Sequence, residues 1–211
     1  MEKITVRKIV SWDGPDYAGK TFLRKRVQAA LEAMGYTVKA YGNPRIDSPT
    51  GQEARRLMLQ SAATEKVSAA LIADFQATIN DPENQDVDFL FMDHFLASTT
   101  VHQGDVGKAA VFRSGLLNVM APPNVFVSLD VDYNTAMIRA RKRREEEGKP
   151  WEDDVLTYKY VKDEASWDGL RNSFRFALQI LTEGGERCNH IAMPPEYDVR
   201  DIAKLVYELT R

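Results

Sequence analysis

The chain has 211 residues, of which 44% are hydrophobic and 28% are charged, values that are ordinary for a globular protein with a buried core. The net charge of −3 gives no global positive field, which argues against nucleic acid and anionic membrane as partners. No apolar run approaches the roughly 18 residues that a membrane span needs.

Cys188 is the only cysteine, so no disulfide can form within the chain. The first ten residues, MEKITVRKIV, lack the apolar segment of a signal peptide. From these two observations we expect a soluble, cytoplasmic protein.

Short apolar runs rich in β-branched residues alternate with segments of helical periodicity. Strands are predicted at 3–12, 37–41, 86–93, 124–131 and 188–194. Helices are predicted at 20–34, 51–79 (with a break near Ser61), 104–119, 134–147, 155–182 and 199–209. This alternation predicts an α/β, three-layer sandwich with a five-stranded parallel sheet and helices on both faces. We expect one domain over residues 1–211, with a charged, mobile lid at about 141–154.

The first strand leads into GPDYAGKT at residues 14–21, which matches the phosphate-binding pattern G-x-x-x-x-G-K-[ST]. Its glycines let backbone N–H groups point at phosphate oxygens, and the helix that follows adds the positive end of its dipole. Lys20 is expected to reach the β and γ phosphates of ATP, and Thr21 to bind Mg²⁺. An ordinary glycine turn is the alternative interpretation. The predicted nucleotide-binding residues of this segment are Gly14, Asp16, Tyr17, Ala18, Gly19, Lys20, Thr21 and Phe22.

A phosphate loop serves many reactions, so it does not by itself name one. The guanine-reading pattern N-K-x-D of GTPases does not occur in the sequence. The apolar run FLFMD ends in Asp93, where a carboxylate can reach the Mg²⁺ of a phosphate-loop site. Alternatively, Asp93 could cap the next helix.

Taken together, these motifs resemble the thymidylate kinase family and, more broadly, the deoxynucleoside monophosphate kinases. WDGPDYAGKT is similar to the family's loop EG-x-D-G-A-G-K-[ST], and NPR at 43–45 is similar to its proline and acceptor-phosphate arginine. DHFLAS at 93–98 is similar to D-R-[YFH]-x-x-S, and LDVDYNTAMIRARKR at 129–143 is similar to the segment that leads into the lid. The resemblance covers nearly the whole chain, although only these short motifs are specific.

The resemblance implies a kinase that transfers the γ-phosphoryl group of ATP to a deoxynucleoside monophosphate, with dTMP as the first candidate, and it implies a homodimer. Lys20 would hold ATP, Arg45 the acceptor phosphate, and Asp93 would act on Mg²⁺. Arg141 and Arg143 of the lid would neutralise the transferred group. Arg139 and Arg144 are further candidates for contact with ATP. The implied acceptor site consists of Asp16, Pro44, Arg45, Leu71, Phe75, His94, Ser98, Thr99 and His102.

Three positions depart from the family's pattern. His94 replaces an arginine that bridges the donor and acceptor phosphates, and a histidine is a weaker bridge than a guanidinium. Phe75 replaces a helix arginine that hydrogen-bonds the thymine carbonyl, and His102 replaces a tyrosine. The base is therefore open, and another or modified deoxynucleotide, a purine monophosphate or a deoxynucleoside are alternative acceptors.

Simpler interpretations exist for the same residues. Leu71 and Phe75 lie on one face of a predicted helix, and such a stripe is more often plain core than a ligand site. Phe75 could equally stack on a base. Ser98, Thr99 and His102 could serve only to cap a helix.

The lid arginines also have a simpler interpretation, because RKRREEEGK at 141–149 is a pattern typical of a solvated helix face. A more remote hypothesis for the whole protein is a nucleotide-dependent binding protein or switch, in which ATP orders the segment 141–154 for a partner.

Overall fold

A computed structural model describes residues 7–105, 107–108, 123–148, 162–183, 189–193 and 198–210. Its strands are β1 (Lys8–Asp13), β2 (Val38–Gly42), β3 (Phe89–Asp93), β4 (Val125–Leu129) and β5 (Asn189–Met193). Its helices are α1 (Lys20–Ala33), α2 (Pro49–Leu59), α3 (Thr64–Asn80), α4 (Leu96–His102), α5 (Tyr133–Glu147), α6 (Glu164–Glu183) and α7 (Val199–Leu209). The described strands form one parallel sheet in the order β2-β3-β1-β4-β5. The predicted α/β class with a parallel sheet is confirmed.

Continuous burial explains why the central strands are nearly all apolar. Every residue of β3 and β4 is buried, as is every residue of β1 after Lys8. Parallel strands covered on both faces have this pattern, whereas the edge strand β2 is only partly buried. Trp12 and Phe91, on the neighbouring strands β1 and β3, pack with ring centroids 5.4 Å apart.

The sequence contains local signals for several helix ends. Ser48 precedes α2, and its hydroxyl accepts a hydrogen bond from the N–H of Gly51 at 3.0 Å. Asp132 caps α5 in the same way, and α5 ends at Glu147, where it is followed by Gly148, whose φ of 62° is favourable for glycine. The predicted break near Ser61 is confirmed, because α2 ends at Leu59 and α3 begins at Thr64.

Two helix pairs cover the sheet. α1 packs against α7, and α4 packs against α6. The β1–α1–β2 crossover runs across the sheet in the opposite direction to the connection from β3 through α4 to β4, so right-handed connections put α1 and α4 on opposite faces. The direction of winding therefore changes beside β1. Ligands of open α/β sheets bind at such a switch point, beyond the carboxyl ends of the strands.

Helix α4 was not predicted as a separate element. Its sequence, LASTTVH, is short and rich in β-branched residues, which are weak helix formers, so its pattern gives little helical signal. The predicted helix 104–119 has only residues 104–105 and 107–108 within the described chain. Residues 149–154 of the predicted lid lie outside it. None of the helices in the described segments is long and apolar enough to cross a membrane.

Candidate active site

The loop between β1 and α1 contains three residues with positive φ: Gly14 at 131°, Tyr17 at 62° and Gly19 at 95°. A Cβ atom at position 14 would lie 3.0 Å from the carbonyl oxygen of Leu129, and one at position 19 would lie 3.1 Å from Nη1 of Arg139. Glycine is therefore required at both positions by the backbone conformation and by the close approach of neighbouring atoms. The loop thus has the curled geometry that the motif predicts.

Lys20 begins α1 and folds back over the loop. Its Nζ donates to the carbonyl oxygens of Gly14 at 2.8 Å and Pro15 at 2.9 Å, and it lies 3.3 Å from Oδ1 of Asp16. Burial raises the pKa of Asp16, but the charge of Lys20, the nearby His94 and His102 and the hydrogen bond from Lys20 together outweigh burial, and the pKa falls well below its usual range. The ammonium group is therefore held by acceptors of the loop itself, in the place where phosphate oxygens would bind.

Ala18 and Phe22, two further residues of the predicted ATP site, differ in exposure. Ala18 is buried beneath the loop, whereas Phe22 projects from the first turn of α1 and is 66% exposed. The guanidinium carbon of Arg26 lies 5.2 Å from the centre of the Phe22 ring. Phe22 thus presents an aromatic surface beside the loop.

Thr21 and Asp93 meet at the carboxyl ends of β1 and β3. The hydroxyl of Thr21 lies 3.5 Å from Oδ2 of Asp93, and Nε of Arg24 lies 3.6 Å from the same oxygen. Burial raises the pKa of Asp93. The other carboxylate oxygen, Oδ1, is buried and has no hydrogen-bond partner among the described residues. A hydroxyl and an unpaired carboxylate oxygen are hard oxygen ligands, so the pair fits the predicted Mg²⁺ site.

His94 follows Asp93 and has a positive φ of 56°, which is uncommon for a residue with a side chain. Its Nε2 lies 3.4 Å from Oδ1 of Asp16, at the edge of the phosphate loop. Burial and the positive charge of Lys20 lower the pKa of His94 to about 3. The imidazole is therefore neutral at pH 7 in this structure, beside the predicted meeting place of the two phosphate chains.

The hydroxyl groups of α4 are bonded within the protein. Oγ of Ser98 donates to Oδ1 of Asp13 at 2.6 Å, and Oγ1 of Thr99 donates to the carbonyl oxygen of Phe95 at 3.1 Å. Both residues are buried. His102 is exposed at the end of α4, and its ring packs edge-on against Phe174 at a centroid distance of 5.8 Å. Of these three predicted acceptor residues, only His102 is accessible to solvent.

Arg45 follows the cis peptide bond between Asn43 and Pro44. Its Nε lies 3.0 Å from Asp47, and its Nη1 lies 3.3 Å from Asp81 at the end of α3. The hydrogen bonds that Arg45 donates to Asp47 and Asp81 raise the pKa of Arg45, and its guanidinium carbon lies 4.3 Å from the centre of the Tyr41 ring. The arginine predicted to hold the acceptor phosphate is therefore already paired with two carboxylates.

Sequence reasoning missed a second arginine near Pro44. Nε and Nη2 of Arg55, on α2, donate to the carbonyl oxygen of Pro44 at 2.9 and 2.6 Å. The preceding residue, Asn43, donates from its backbone N–H and its amide group to the carbonyl oxygen of Asp93 at 3.0 and 2.9 Å. Arg55 is exposed. The residue that it contacts, Pro44, directly follows Asn43, which is bonded to the end of β3. The only sequence signal was an arginine on the helix that follows NPR.

The segment that joins Arg45 to α2 is fixed by a buried carboxylate. Asp74 of α3 is fully buried and accepts hydrogen bonds from the N–H of Arg45 at 2.8 Å, from Ser48 at 2.7 Å and from Thr50 at 2.9 Å. Asp74 therefore anchors the loop that carries Arg45.

Phe75 and Leu71 are core residues in this structure. Phe75 has no exposed surface and packs edge-on against Phe95 with a centroid distance of 4.8 Å, and Leu71 is 6% exposed. In this conformation the Phe75 ring has no face available for stacking on a base. The core interpretation of the stripe describes these positions better than the ligand interpretation.

Helix α5 contacts the phosphate loop through two arginines. Nη1 of Arg139 donates to the carbonyl oxygen of Ala18 at 2.7 Å. One turn further along, the guanidinium carbon of Arg143 lies 5.8 Å from the centre of the Tyr17 ring. Arg139, predicted to contact ATP, and Arg143, predicted in the lid, are thus both directed at the loop.

The remaining lid arginines have different environments. Arg141 is exposed on α5, and Arg144 is buried with Nη1 3.9 Å from Glu147. Glu147 also accepts a hydrogen bond from Arg143 at 2.8 Å. Such (i, i+3) and (i, i+4) pairs are typical of a mixed-charge helix. This geometry fits a basic helix face that only carries ion pairs, and it also fits the predicted lid.

Comparison with known proteins agrees with this geometry. The family model for thymidylate kinase matches residues 12–164. The chain belongs to the thymidylate kinase family. It is 30% identical over 139 residues to a probable thymidylate kinase of Metallosphaera sedula, an alignment that covers 65% of this chain and 67% of the relative. It is 33% identical over 144 residues to a thymidylate kinase of Xanthomonas oryzae pv. oryzae, which covers 64% of this chain and 61% of that relative.

Membership of the thymidylate kinase family confirms the predicted resemblance. The match includes the phosphate loop, the NPR segment, the end of β3 and α5, so all four predicted motifs lie within it. At the position of the family's bridging arginine, this chain has a partly exposed histidine, and Phe75 lies in the core. The departures at His94, Phe75 and His102 thus lie at positions predicted for the acceptor site, whereas Tyr17 replaces a glycine of the family's phosphate loop.

Proposed function

We propose that the protein is an ATP-dependent deoxynucleoside monophosphate kinase, with dTMP as the first candidate acceptor. The observation that carries the proposal is the geometry of the loop end: Lys20 folds back over the phosphate loop, and the hydroxyl of the next residue, Thr21, lies 3.5 Å from Oδ2 of Asp93. This geometry occurs in a chain that belongs to the thymidylate kinase family. Such an arrangement suits phosphoryl transfer, which depends mainly on alignment and charge neutralisation.

On the donor side, Lys20 would exchange the carbonyl oxygens of Gly14 and Pro15 for the β and γ phosphate oxygens of ATP. Thr21 and Asp93 are the residues that would hold Mg²⁺, whose bound charge neutralises the phosphate oxygens. The loop needs little rearrangement, because its backbone is already curled and α5 already contacts it through Arg139. ATP as the donor follows from the family, and Mg²⁺ from the fit of the two oxygen ligands.

On the acceptor side, two arginines are candidates for the phosphate of the monophosphate. Arg45 occupies the position implied by the family resemblance, and it would have to release Asp47 to bind an anion. Arg55 is exposed, and within the described residues its guanidinium hydrogen-bonds only to the backbone carbonyl of Pro44, so it could turn to an anion at lower cost. We therefore propose Arg55 as the principal contact and Arg45 as the supporting one.

The lid would complete the site. Arg143 already lies over Tyr17 of the loop. Arg141 lies on the same helix and is exposed to solvent, one turn after the exposed Ile138. Closure of the lid would bring these guanidinium groups to the transferred phosphoryl group and exclude water, which limits wasteful hydrolysis of ATP. Arg144 and Arg139 would support this helix and the nucleotide.

A different acceptor base is the second candidate, and two observations favour it. Phe75 is fully buried, so it cannot replace the hydrogen bond that the family's arginine makes to thymine. His94 stands at the position of the bridging guanidinium, and an imidazole cannot hold two phosphate groups as a guanidinium does. Another or modified deoxynucleoside monophosphate, or a deoxynucleoside, would then be the substrate.

A coupled assay of ADP release against a panel of deoxynucleotides and deoxynucleosides tests these proposals. Activity with dTMP above all others supports the first candidate, and a preference for another acceptor supports the second. ATP binding without a phosphorylated product would instead favour the nucleotide-dependent switch. Homodimer formation and a cytoplasmic location stay predictions, and sedimentation of the purified protein tests the first of them.

A further inference from the structure

A buried carboxylate joins the donor and acceptor sides of the site. Asp13 is the last residue of β1, immediately before Gly14, and it is fully buried. Its Oδ1 accepts three hydrogen bonds: from the N–H of Phe95 at 3.1 Å, from the N–H of Ser98 at 3.0 Å and from the Ser98 hydroxyl at 2.6 Å. Its Oδ2 accepts a hydrogen bond from the hydroxyl of Ser11.

All four of these donors are neutral. Within the described residues, Asp13 forms no ion pair with an arginine, lysine or histidine. A buried carboxylate is tolerated when several donors satisfy it, and donors to the charged form stabilise that form. Three of the four bonds come from the start of α4, a helix with no side-chain cap of its own. Asp13 lies on β1, 82 residues before Phe95, and its side chain takes the place of a local cap.

These bonds extend the contact between β1 and β3 beyond the end of the sheet. The last backbone bond between the two segments joins the N–H of His94 to the carbonyl oxygen of Trp12 at 3.1 Å. Past that point the strands diverge, one into the phosphate loop and the other into α4. The side chain of Asp13 connects them where the backbone no longer can.

We propose that Asp13 is a positioning residue for phosphoryl transfer. Its backbone continues into Gly14, whose carbonyl oxygen holds Lys20, and its side chain fixes the segment that begins with Asp93 and His94. The carboxylate therefore sets the distance between the donor loop and the acceptor-side segment. This inference rests on the proposed kinase activity, and it assigns to Ser98 a role in holding Asp13 rather than in binding the acceptor.

Two serines on the same carboxylate provide a matched test. Ser98→Ala removes the hydroxyl that links Asp13 to α4, whereas Ser11→Ala removes a hydroxyl that links Asp13 only to its own strand. Both serines are buried, and each substitution deletes one oxygen atom from the same hydrogen-bonded group. If the loss of one hydrogen-bond donor to Asp13 were all that mattered, both substitutions should have the same effect.

The experiment measures kcat, the KM values of both substrates, and amide hydrogen exchange in the two variants and the unchanged protein. In Ser98→Ala we expect kcat to fall about tenfold, because small misplacements of reacting groups are costly, while KM for ATP changes less than about twofold. Exchange at the amides of Phe95 and Ser98 should rise about tenfold. In Ser11→Ala both quantities should stay within about twofold of the unchanged protein.

Each outcome decides the inference. Equal exchange and equal kcat in the two variants would overturn it, and so would an unchanged kcat in Ser98→Ala when exchange has risen. Should the unchanged protein phosphorylate no acceptor of the panel, the proposed kinase function fails. The exchange data then still decide whether Asp13 anchors the start of α4.

Discussion

The donor and acceptor sides of the site are built in different ways. On the donor side, Lys20 bonds to Gly14, Pro15 and Asp16, all within six positions of it in the chain. On the acceptor side, the guanidinium of Arg45 contacts Asp81, 36 positions away, and its N–H contacts Asp74, 29 positions away. The phosphate loop and its lysine are thus a local structure that one short motif determines, although Asp93 and Arg139 reach the loop from distant segments. The Arg45 region depends on contacts between distant segments.

This difference explains where the chain departs from its family. A phosphate loop tolerates little change, because its glycines and lysine act through backbone geometry that few residues can adopt. The acceptor side can change more freely, since a buried aromatic ring and a neutral histidine can occupy positions of the family's arginines without disturbing the loop. Substrate choice can therefore vary while the chemistry of ATP is retained.

The largest effect should follow from removal of the donor-side cation. Lys20→Ala should lower kcat by about 10² to 10³, as is typical when a group that stabilises transition-state charge is lost. Lys25→Ala, an exposed lysine on the same helix, is the matched control and should leave kcat nearly unchanged. A coupled assay with thermal unfolding curves checks both variants. Near-normal turnover in folded Lys20→Ala would contradict the donor-side assignment.

A somewhat smaller effect is expected at the proposed metal ligand. Asp93→Asn keeps the shape of the side chain but removes its charge, so kcat should fall about 100-fold and more Mg²⁺ should be needed for half-maximal activity. Titration of activity with Mg²⁺ measures both quantities, and chelation of the metal should abolish turnover. Asp88→Asn, just before the opposite end of β3, should not change the Mg²⁺ requirement. An unchanged Mg²⁺ titration curve in Asp93→Asn would remove Asp93 from the metal site.

The two acceptor-side arginines give a prediction of intermediate size. Arg55→Ala should raise the KM of the acceptor about tenfold and leave the KM of ATP unchanged, because one charge-assisted contact is lost. Arg45→Ala should have a smaller effect on the acceptor, since Arg45 is already paired with Asp47. Arg56→Ala, an exposed neighbour paired with Glu53, serves as the control. If Arg45→Ala has the larger effect, Arg45 leaves Asp47 on binding and is the principal contact.

The smallest effect concerns stability. Asp130, just after β4, bonds to Arg171 and Arg175 of α6. Burial raises the pKa of Asp130, but hydrogen bonds from these arginines lower it overall. A carboxyl whose pKa is lower in the folded state stabilises above its unfolded pKa, and this contribution is lost as the pH falls through the folded value. Asp130→Asn should therefore lower the free energy of unfolding by less than about 1 kcal/mol at pH 7.

Denaturant titrations at several pH values check this prediction. The difference between Asp130→Asn and the unchanged protein should shrink below the ordinary pKa of an aspartate, 3.8, and kcat at pH 7 should stay within about twofold. A difference that grows on acidification would mean that the arginines do not stabilise the charged carboxylate.

What the sequence allowed us to predict follows the same division. The phosphate loop, the position of Asp93 and the break near Ser61 were predictable, because each has a local signal in a strand end, a motif or a helix boundary. Helix α4 gave no such signal, since LASTTVH is held by Asp13 from a distant strand rather than by its own propensity. The contacts of Arg45 and Arg55 depend on how α2, α3 and the loop after β2 pack, which periodicity does not specify.

The burial of Trp12 has a practical consequence. Its indole is fully buried beside Phe91, one residue before Asp13, so a natural fluorophore is built into the strand that leads to the phosphate loop. Trp167 is equally buried and donates to the carbonyl oxygen of Val131 at 2.9 Å, near the start of α5. The third tryptophan, Trp151, lies outside the described residues. Replacement of Trp151 and of one of these two indoles by phenylalanine would leave a single emitter, whose optical signal could follow nucleotide arrival at one edge of the crevice without any attached dye.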